Sequence, residues 1–438
     1  MNEGNPFANA AAADDRRKRK RRKSGTAKRH LAASAVDTSV REILAWSDRE
    51  CLDFLVKVRF GSWKTVICPH CGTIGKHAWK KNEKRWRCTG CRSSFSITSG
   101  SHFHARKLPL REIVAQTLTF LCNVGGHPAL ALRREYRHSY NTAYVHQQKL
   151  REGLIRGHNI GLLNADVEMD AAHQSGRRSA EKRGRPQVTP PLNKQPDALE
   201  KEKAILEGAG KDPKAQPPLT DVERINAKNR AKKGGQRDPD YGKRLPPDRR
   251  LVFTVRKRSG VKRQGAVATR IGVGRTEDVP EAKAMVGSFV AMPESVLNSD
   301  MVKAYAPIGR KFADHRRVEH ALTFSGPNGE NNNQAEEINA RMDRAEKGVY
   351  LNIEPKYLHD YACEVGFRSD ARRLSNGKQL QLLLHIAMSV GRSEFWTMYT
   401  HGQHRDIEIL MPANAGALPS GPPAGTSPIA MKNGKPPR

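Results

Sequence analysis

The chain has 438 residues, 77 Lys+Arg against 45 Asp+Glu, and a formal net charge of +32. That excess self-repels unless a polyanion neutralises it, so nucleic acid is the first partner to consider and an anionic membrane surface the second. No apolar run approaches the ~18 residues of a membrane span, and MNEGNPFANAAAADD lacks the apolar core of a secretory signal. A transmembrane protein and a secreted disulfide scaffold are thereby disfavoured, and the expected location is cytoplasmic.

Residues 1–35 read as a disordered basic arm, with an unbroken cationic block from Arg16 to Lys23. Residues 36–57 carry apolar residues at helical spacing, with Asp37 or Ser39 as N-cap. Within 36–108, Cys68-x-x-Cys71 and Cys88-x-x-Cys91 are separated by sixteen residues. Two such knuckles close a tetrahedral thiolate shell around Zn²⁺, with Gly72 and Gly90 suited to the tight turns. A closed shell has no open position, so the zinc is structural. His70 and His77 could substitute as ligands but are not needed. Trp79 and Trp86, set among Lys and Arg, suit a ribbon with one packed face and one phosphate-facing side. Cys51, Cys122 and Cys363 read as core thiols.

Residues 109–158 read as a helical, helix-turn-helix-like DNA-binding region. Pro109 stands at a helix start, Gly125–Gly126 breaks the helix, and a helix starting at Tyr140-Asn141-Thr142 could enter a major groove. From 159 to 395 a mixed strand and helix pattern follows. LLNADVEMD, RLVFTVRKR and GAVATRIGVG read as strands, AKAMVGSFVAM as a helix and VLNSD as a strand end; 333–373 and 379–388 are helical. A basic Pro- and Gly-rich insertion occupies 177–248, and 396–438 reads as a disordered tail. The fold class is therefore multidomain α+β or α/β.

Asp170 and Asp300 close apolar stretches, and Glu336-Glu337 lies in a helical segment 36 residues after Asp300. Carboxylates on adjacent strands plus one on a nearby helix can converge on hard divalent cations, Mg²⁺ or Mn²⁺, for phosphoryl transfer.

The order of zinc ribbon, FSITSGSHFHARKLPL, helical region, VEMDAAHQSGR, NSDMVKAY, NNNQAEEINARMDRAEKGVY and YLHDYACEVGFR resembles the zinc-ribbon transposases of bacterial insertion sequences. These are DDE-class enzymes with a ribonuclease-H-like catalytic domain. The resemblance implies that Asp170 and Asp300 are the first two metal-binding aspartates, with Tyr305 following. It implies Glu336 as the third metal residue, with Asn333 the second choice, and Gly348 and Tyr350 in register behind them. His320 would orient phosphate or a carboxylate. The implied activity is metal-dependent strand cleavage and strand transfer on double-stranded DNA, at terminal inverted repeats and target, by a homo-oligomer. Ala171, Asn339 and Asp343 depart from the family pattern. Of these, Ala171 and Asp343 favour the alternative of an inactive zinc-ribbon DNA-binding relic or regulator. A third reading, a basic RNA-binding protein, leaves the placed acids unexplained.

Overall fold

The computed structural model describes residues 32–175, 249–261, 264–318 and 331–410. His320, the basic arm to residue 31, the 177–248 insertion and the chain beyond 410 lie outside the described residues.

Two short helices open the described chain, α1 (Val40–Ala45) and α2 (Asp48–Phe60). Each starts with a capping box, Ser39 with Glu42 and Ser47 with Glu50, so side chains satisfy otherwise unpaired first-turn N–H groups. Ser39 is therefore the N-cap. Asp37 instead accepts from Ser375 Oγ and Gly377 N, at the start of a helix more than 300 residues later. Three strands follow as an antiparallel sheet: β1 (His77–Lys80), β2 (Arg85–Cys88) and β3 (Ser94–Phe95).

The helical region comprises α3 (Leu110–Cys122), α4 (Ala129–Tyr136) and α5 (Tyr140–Gly157). The turn between α4 and α5 places Arg137 in the left-handed region. The helix expected to enter a groove is embedded: Ala143, His146, Gln147, Leu150, Arg151 and Leu154 are all buried. Only its first turn, Tyr140 and Asn141, is open, beside exposed Arg133, Arg134 and Arg137. Only this corner of α5 is therefore accessible, and its length is covered by the core.

A five-stranded mixed sheet has the order β6-β5-β4-β7-β8, built from β4 (Leu163–Ser175), β5 (Arg249–Arg258), β6 (Ala266–Gly274), β7 (Val290–Asp300) and β8 (Asp314–Val318). β4, β5 and β6 are antiparallel neighbours, while β4–β7 and β7–β8 are parallel. The sheet with its helices is the mixed α+β arrangement expected from the sequence. Alternation along β4 sends Val167, Met169 and Ala171 into one core with α6 (Val279–Phe289). Glu168 and Asp170 therefore face the opposite side, where α7 (Asn333–Ala345) lies over β4 and β5. Behind it come α8 (Leu358–Ala371) and α9 (Asn376–Ser389).

One continuous core joins α2, the ribbon, α3, α5, α8 and α9 to β5 and β6. The FSITSGS segment is its seam: Arg59 donates to the carbonyls of Ile97 and Ser99, and His102 N donates to Ala387 O in α9. At its centre Arg151 donates to Glu364 Oε2 at 2.7 Å, and Arg368 and Tyr350 donate to Glu364 Oε1. Gly126 (φ +111°) is required here, because a Cβ would fall 2.1 Å from the Tyr350 hydroxyl. Tyr350 thus ties the helical region to α8.

Residues 396–410, expected as part of a disordered tail, pack on this core instead. Trp396 is buried among Tyr144, Tyr357 and Tyr399, and buried Arg405 pairs with Asp360. Aromatic area and a neutralised charge hold this segment. Cys51 and Cys363 are core thiols as expected, but Cys122, at the last turn of α3, is exposed.

Candidate active site and zinc ribbon

The four ribbon sulfurs lie within 4.8 Å of one another. Cys68 Sγ is 3.7 Å from Cys91 Sγ, and Cys71 Sγ is 3.6 Å from Cys88 Sγ. The Thr73 hydroxyl and N–H hold the Cys71 thiol down to about 6, and Ser93 lowers Cys91 in the same way. Burial pushes Cys68 up to about 12. The two knuckles share a backbone device: the residue after each second cysteine, Gly72 and Arg92, has positive φ. The other predicted turn glycine, Gly90, serves differently. A Cβ there would lie 2.6 Å from Thr73 Oγ1, the group that supports Cys71. His77 turns away and bonds Val66 O, so the four thiols form the set without it. Soft donors closing on one point fit zinc in a structural role. Trp63, Trp79, Trp86 and Phe95 pack behind them, while Arg85 and Arg87 alternate outward on β2.

The acids are positioned by strand register. β4 and β7 run parallel with Glu168 opposite Asn298, and two residues further along each strand stand Asp170 and Asp300. Asp300 is the last residue of β7. Asp170 does not end its strand: β4 continues for five small or polar residues to Ser175, held by antiparallel pairing to β5. That pairing, which supplies backbone partners whatever the hydropathy, is why the strand outlasts its apolar stretch.

Asp170 is partly buried and raised to about 7, first by desolvation, with the charges of Asp300 and Glu336 adding to it. Its opposing influence is Asn339, whose Nδ2 donates to Asp170 Oδ2 at 2.7 Å. The three acids implied by the resemblance therefore share one electrostatic neighbourhood. Asn333 is exposed at the first position of α7, whereas Glu336 is half-buried one turn further in.

Three departures from the family pattern acquire physical places. Ala171 lies on the other face of the sheet from Asp170, against the apolar core. Asn339, one turn after Glu336, is Asp170's hydrogen-bond donor. Asp343 pairs with Lys347, four residues on, at 2.7 Å.

Two further residues, Glu168 and Glu277, carry no mark in the sequence reading, and a third, Asn339, enters it only as a departure from the family pattern. Glu168 is fully buried and accepts from Gln334 N (2.7 Å), Ala335 N (3.2 Å) and Arg258 Nε (2.6 Å). Its signal was parity, since it shares Asp170's face two residues earlier. Asn339 could have been found as the residue three after Glu336 on one helix face. Glu277 accepts from the buried Tyr305 hydroxyl at 2.6 Å, and burial, with the Asp300 charge, raises it. No sequence signal connects Glu277 to Asp300.

Two family models match this chain: a transposase zinc-ribbon domain over residues 46–94 and an ISXO2-like transposase domain over residues 222–370. The ribbon and the mixed-sheet region are thus each similar to a domain of zinc-ribbon insertion-sequence transposases. The transposase-domain match contains Asp300, Asn333 and Glu336 and begins beyond Asp170. The zinc-ribbon match contains Cys68, Cys71, Cys88 and Cys91. No curated protein and no solved structure matches the chain. Among the described residues, no helix is long and apolar enough to cross a membrane.

Proposed function

We propose that this transposase cleaves and joins DNA by DDE-type phosphoryl transfer, with Asp170, Asp300 and Glu336 as its metal-holding acids. The observation that carries this reading is the crowding of charge at Asp170, where desolvation and two like charges oppose ionisation. Carboxylates are hard oxygen donors, and a divalent cation would relieve the repulsion that Asp300 and Glu336 exert on Asp170, so the residue types fit Mg²⁺ or Mn²⁺. When bound, such ions activate water or a 3′-OH as nucleophile and stabilise the departing 3′ oxygen.

The protein's own part is to hold these groups still. Strand register fixes Asp170 beside Asp300, Asn339 fixes the rotamer of Asp170, and α7 brings Glu336 over the sheet. Asn333 remains the second choice for the third position, and His320 a candidate phosphate-orienting residue. The exposed arginines of β2 and of the α4–α5 corner are suited to duplex phosphates, with Tyr140 and Asn141 at the point nearest a groove. The 1–31 arm and the 177–248 insertion would add cationic contacts, so binding should weaken steeply with salt. Terminal repeats and target DNA are the substrates of this reading, a homo-oligomer synapses two ends, and the bacterial nucleoid is its place.

The deciding experiment is cleavage of the element's own terminal-repeat duplex with Mg²⁺ or Mn²⁺, wild type against Asp300→Asn. Metal-dependent nicking that Asp300→Asn abolishes supports the reading. Tight binding without nicking by the wild type would instead favour a relic that retains only the DNA-binding parts.

A further inference from the structure

We propose that Glu168 is a positioning residue that sets Glu336 against Asp170 by anchoring the start of α7 to the catalytic strand. The inference rests on the three-carboxylate reading of the site.

The first N–H groups of a helix have no partner within it and are ordinarily met by the side chain of the residue just before. In α7 that residue, Asn332, supplies no side-chain cap. The partner comes from the sheet. Glu168 Oε2 accepts from both Gln334 N and Ala335 N, and its other oxygen accepts from Arg258. Negative charge at this end also complements the helix dipole.

A local cap would satisfy the same N–H groups without fixing the helix to anything. A cap from β4 does both. Glu168 precedes Asp170 by two residues on the same face, and Glu336 follows Ala335 directly. A single carboxylate thus spans the strand bearing one acid and the turn bearing another. Arg256, two residues before Arg258 on β5, adds a second tether by donating to Gln334 O at 2.9 Å. The arrangement defines the depth and rotation of the first turn of α7, the variables that place the Glu336 carboxylate. Precise ligand placement from a supporting shell is what such groups provide in metal sites.

The test uses the full-length zinc-loaded chain and Mn²⁺ alone, titrated without DNA and followed by electron paramagnetic resonance. Glu168→Gln keeps the shape but loses the charge; Glu168→Asp keeps the charge but withdraws it by one methylene. In both we expect Mn²⁺ affinity to fall by about tenfold. Duplex binding and zinc content should stay at wild-type levels, and cleavage should recover at saturating Mn²⁺. A lowered melting temperature with wild-type Mn²⁺ affinity, in either variant, would overturn the proposal and leave Glu168 a stabilising cap only. If Glu168→Gln does not fold, Glu168→Asp decides alone. Asp170→Ala and Glu336→Gln are the controls. If neither changes Mn²⁺ affinity, the three-carboxylate reading fails. If they do and the Glu168 variants do not, only the present inference fails.

Discussion

Asn339 Nδ2 donates to Asp170 Oδ2 at 2.7 Å, and Thr254, paired with Asp170 across β4 and β5, donates to Asn339 Oδ1 at 3.1 Å. The Thr254 bond points the Asn339 amide nitrogen at the carboxylate rather than its oxygen. Asn339→Leu keeps the volume and removes the donor. A hydrogen bond to a charged group contributes roughly 1.5–3 kcal/mol, so the expected loss in metal-dependent cleavage is about 10- to 100-fold. Asn339→Asp should be worse, since it sets a further carboxylate against Asp170. Cleavage rates at saturating Mg²⁺ measure both, and a wild-type rate for Asn339→Leu would remove Asn339 from the site.

The same carboxylate predicts a dependence of stability on pH. Asp170 is raised from 3.8 to about 7. Between those values the folded state holds a proton that the unfolded chain has released. The stability this proton contributes is complete at acid pH and is lost as pH rises through about 7. A shift is worth roughly 1.4 kcal/mol per unit, reduced here by solvent screening at a partly exposed group, so a few kcal/mol is the ceiling. Asp170→Asn should abolish cleavage, yet stabilise the protein at pH 8 in the absence of divalent cation. Urea unfolding at pH 5 and 8, with and without Mg²⁺, tests it; an unchanged pH dependence in Asp170→Asn would show that another group is responsible.

The sequence was most informative where chemistry is encoded in spacing. Two Cys-x-x-Cys pairs specify their own geometry, and alternation or helical periodicity located the strands and helices on either side of the 177–248 insertion. The acids of the catalytic sheet could be ranked but not assembled, because register between β4 and β7 joins segments more than 120 residues apart. Glu168 was passed over because its partners are backbone N–H groups, which leave no trace in residue identity. Asn339 was read as a departure because its donor role exists only once α7 lies on β4. Hydropathy ended β4 too early and the ordered chain before Trp396, since cross-strand hydrogen bonding and ring packing are not visible in composition.

The buried Arg151–Glu364 pair supports a stability prediction that is independent of catalysis. Arg151 lies fully buried against the rings of Phe120, Tyr350 and Tyr361, and Glu364 accepts from Arg151, Tyr350 and Arg368. Removing one partner of such a pair leaves an uncompensated charge, which costs about 3–5 kcal/mol. Glu364→Gln should therefore lower the denaturant midpoint strongly with no change in slope. Because the network joins α5 to α8, the loss should appear in unfolding of the whole helical core. A cost below about 1 kcal/mol would mean that solvent reaches Arg151.

Metal removal from the ribbon should separate its fold from the helical core. Cys68 and Cys88 are buried, and Trp86 stacks on Phe95 and meets Trp63 and Trp79 directly behind the thiols. Without a cation, converging thiolates repel and the knuckles lose the link that closes them. The helices α3, α5, α8 and α9 pack on one another without passing through the ribbon. Cys88→Ser should therefore lower zinc content from one per chain to none by elemental analysis. It should also shift tryptophan emission to the red and weaken duplex binding, while the helical circular dichroism signal is largely kept. Retention of stoichiometric zinc in Cys88→Ser would contradict the four-thiolate assignment; collapse of the helical signal would show instead that the ribbon is integral to the core it touches.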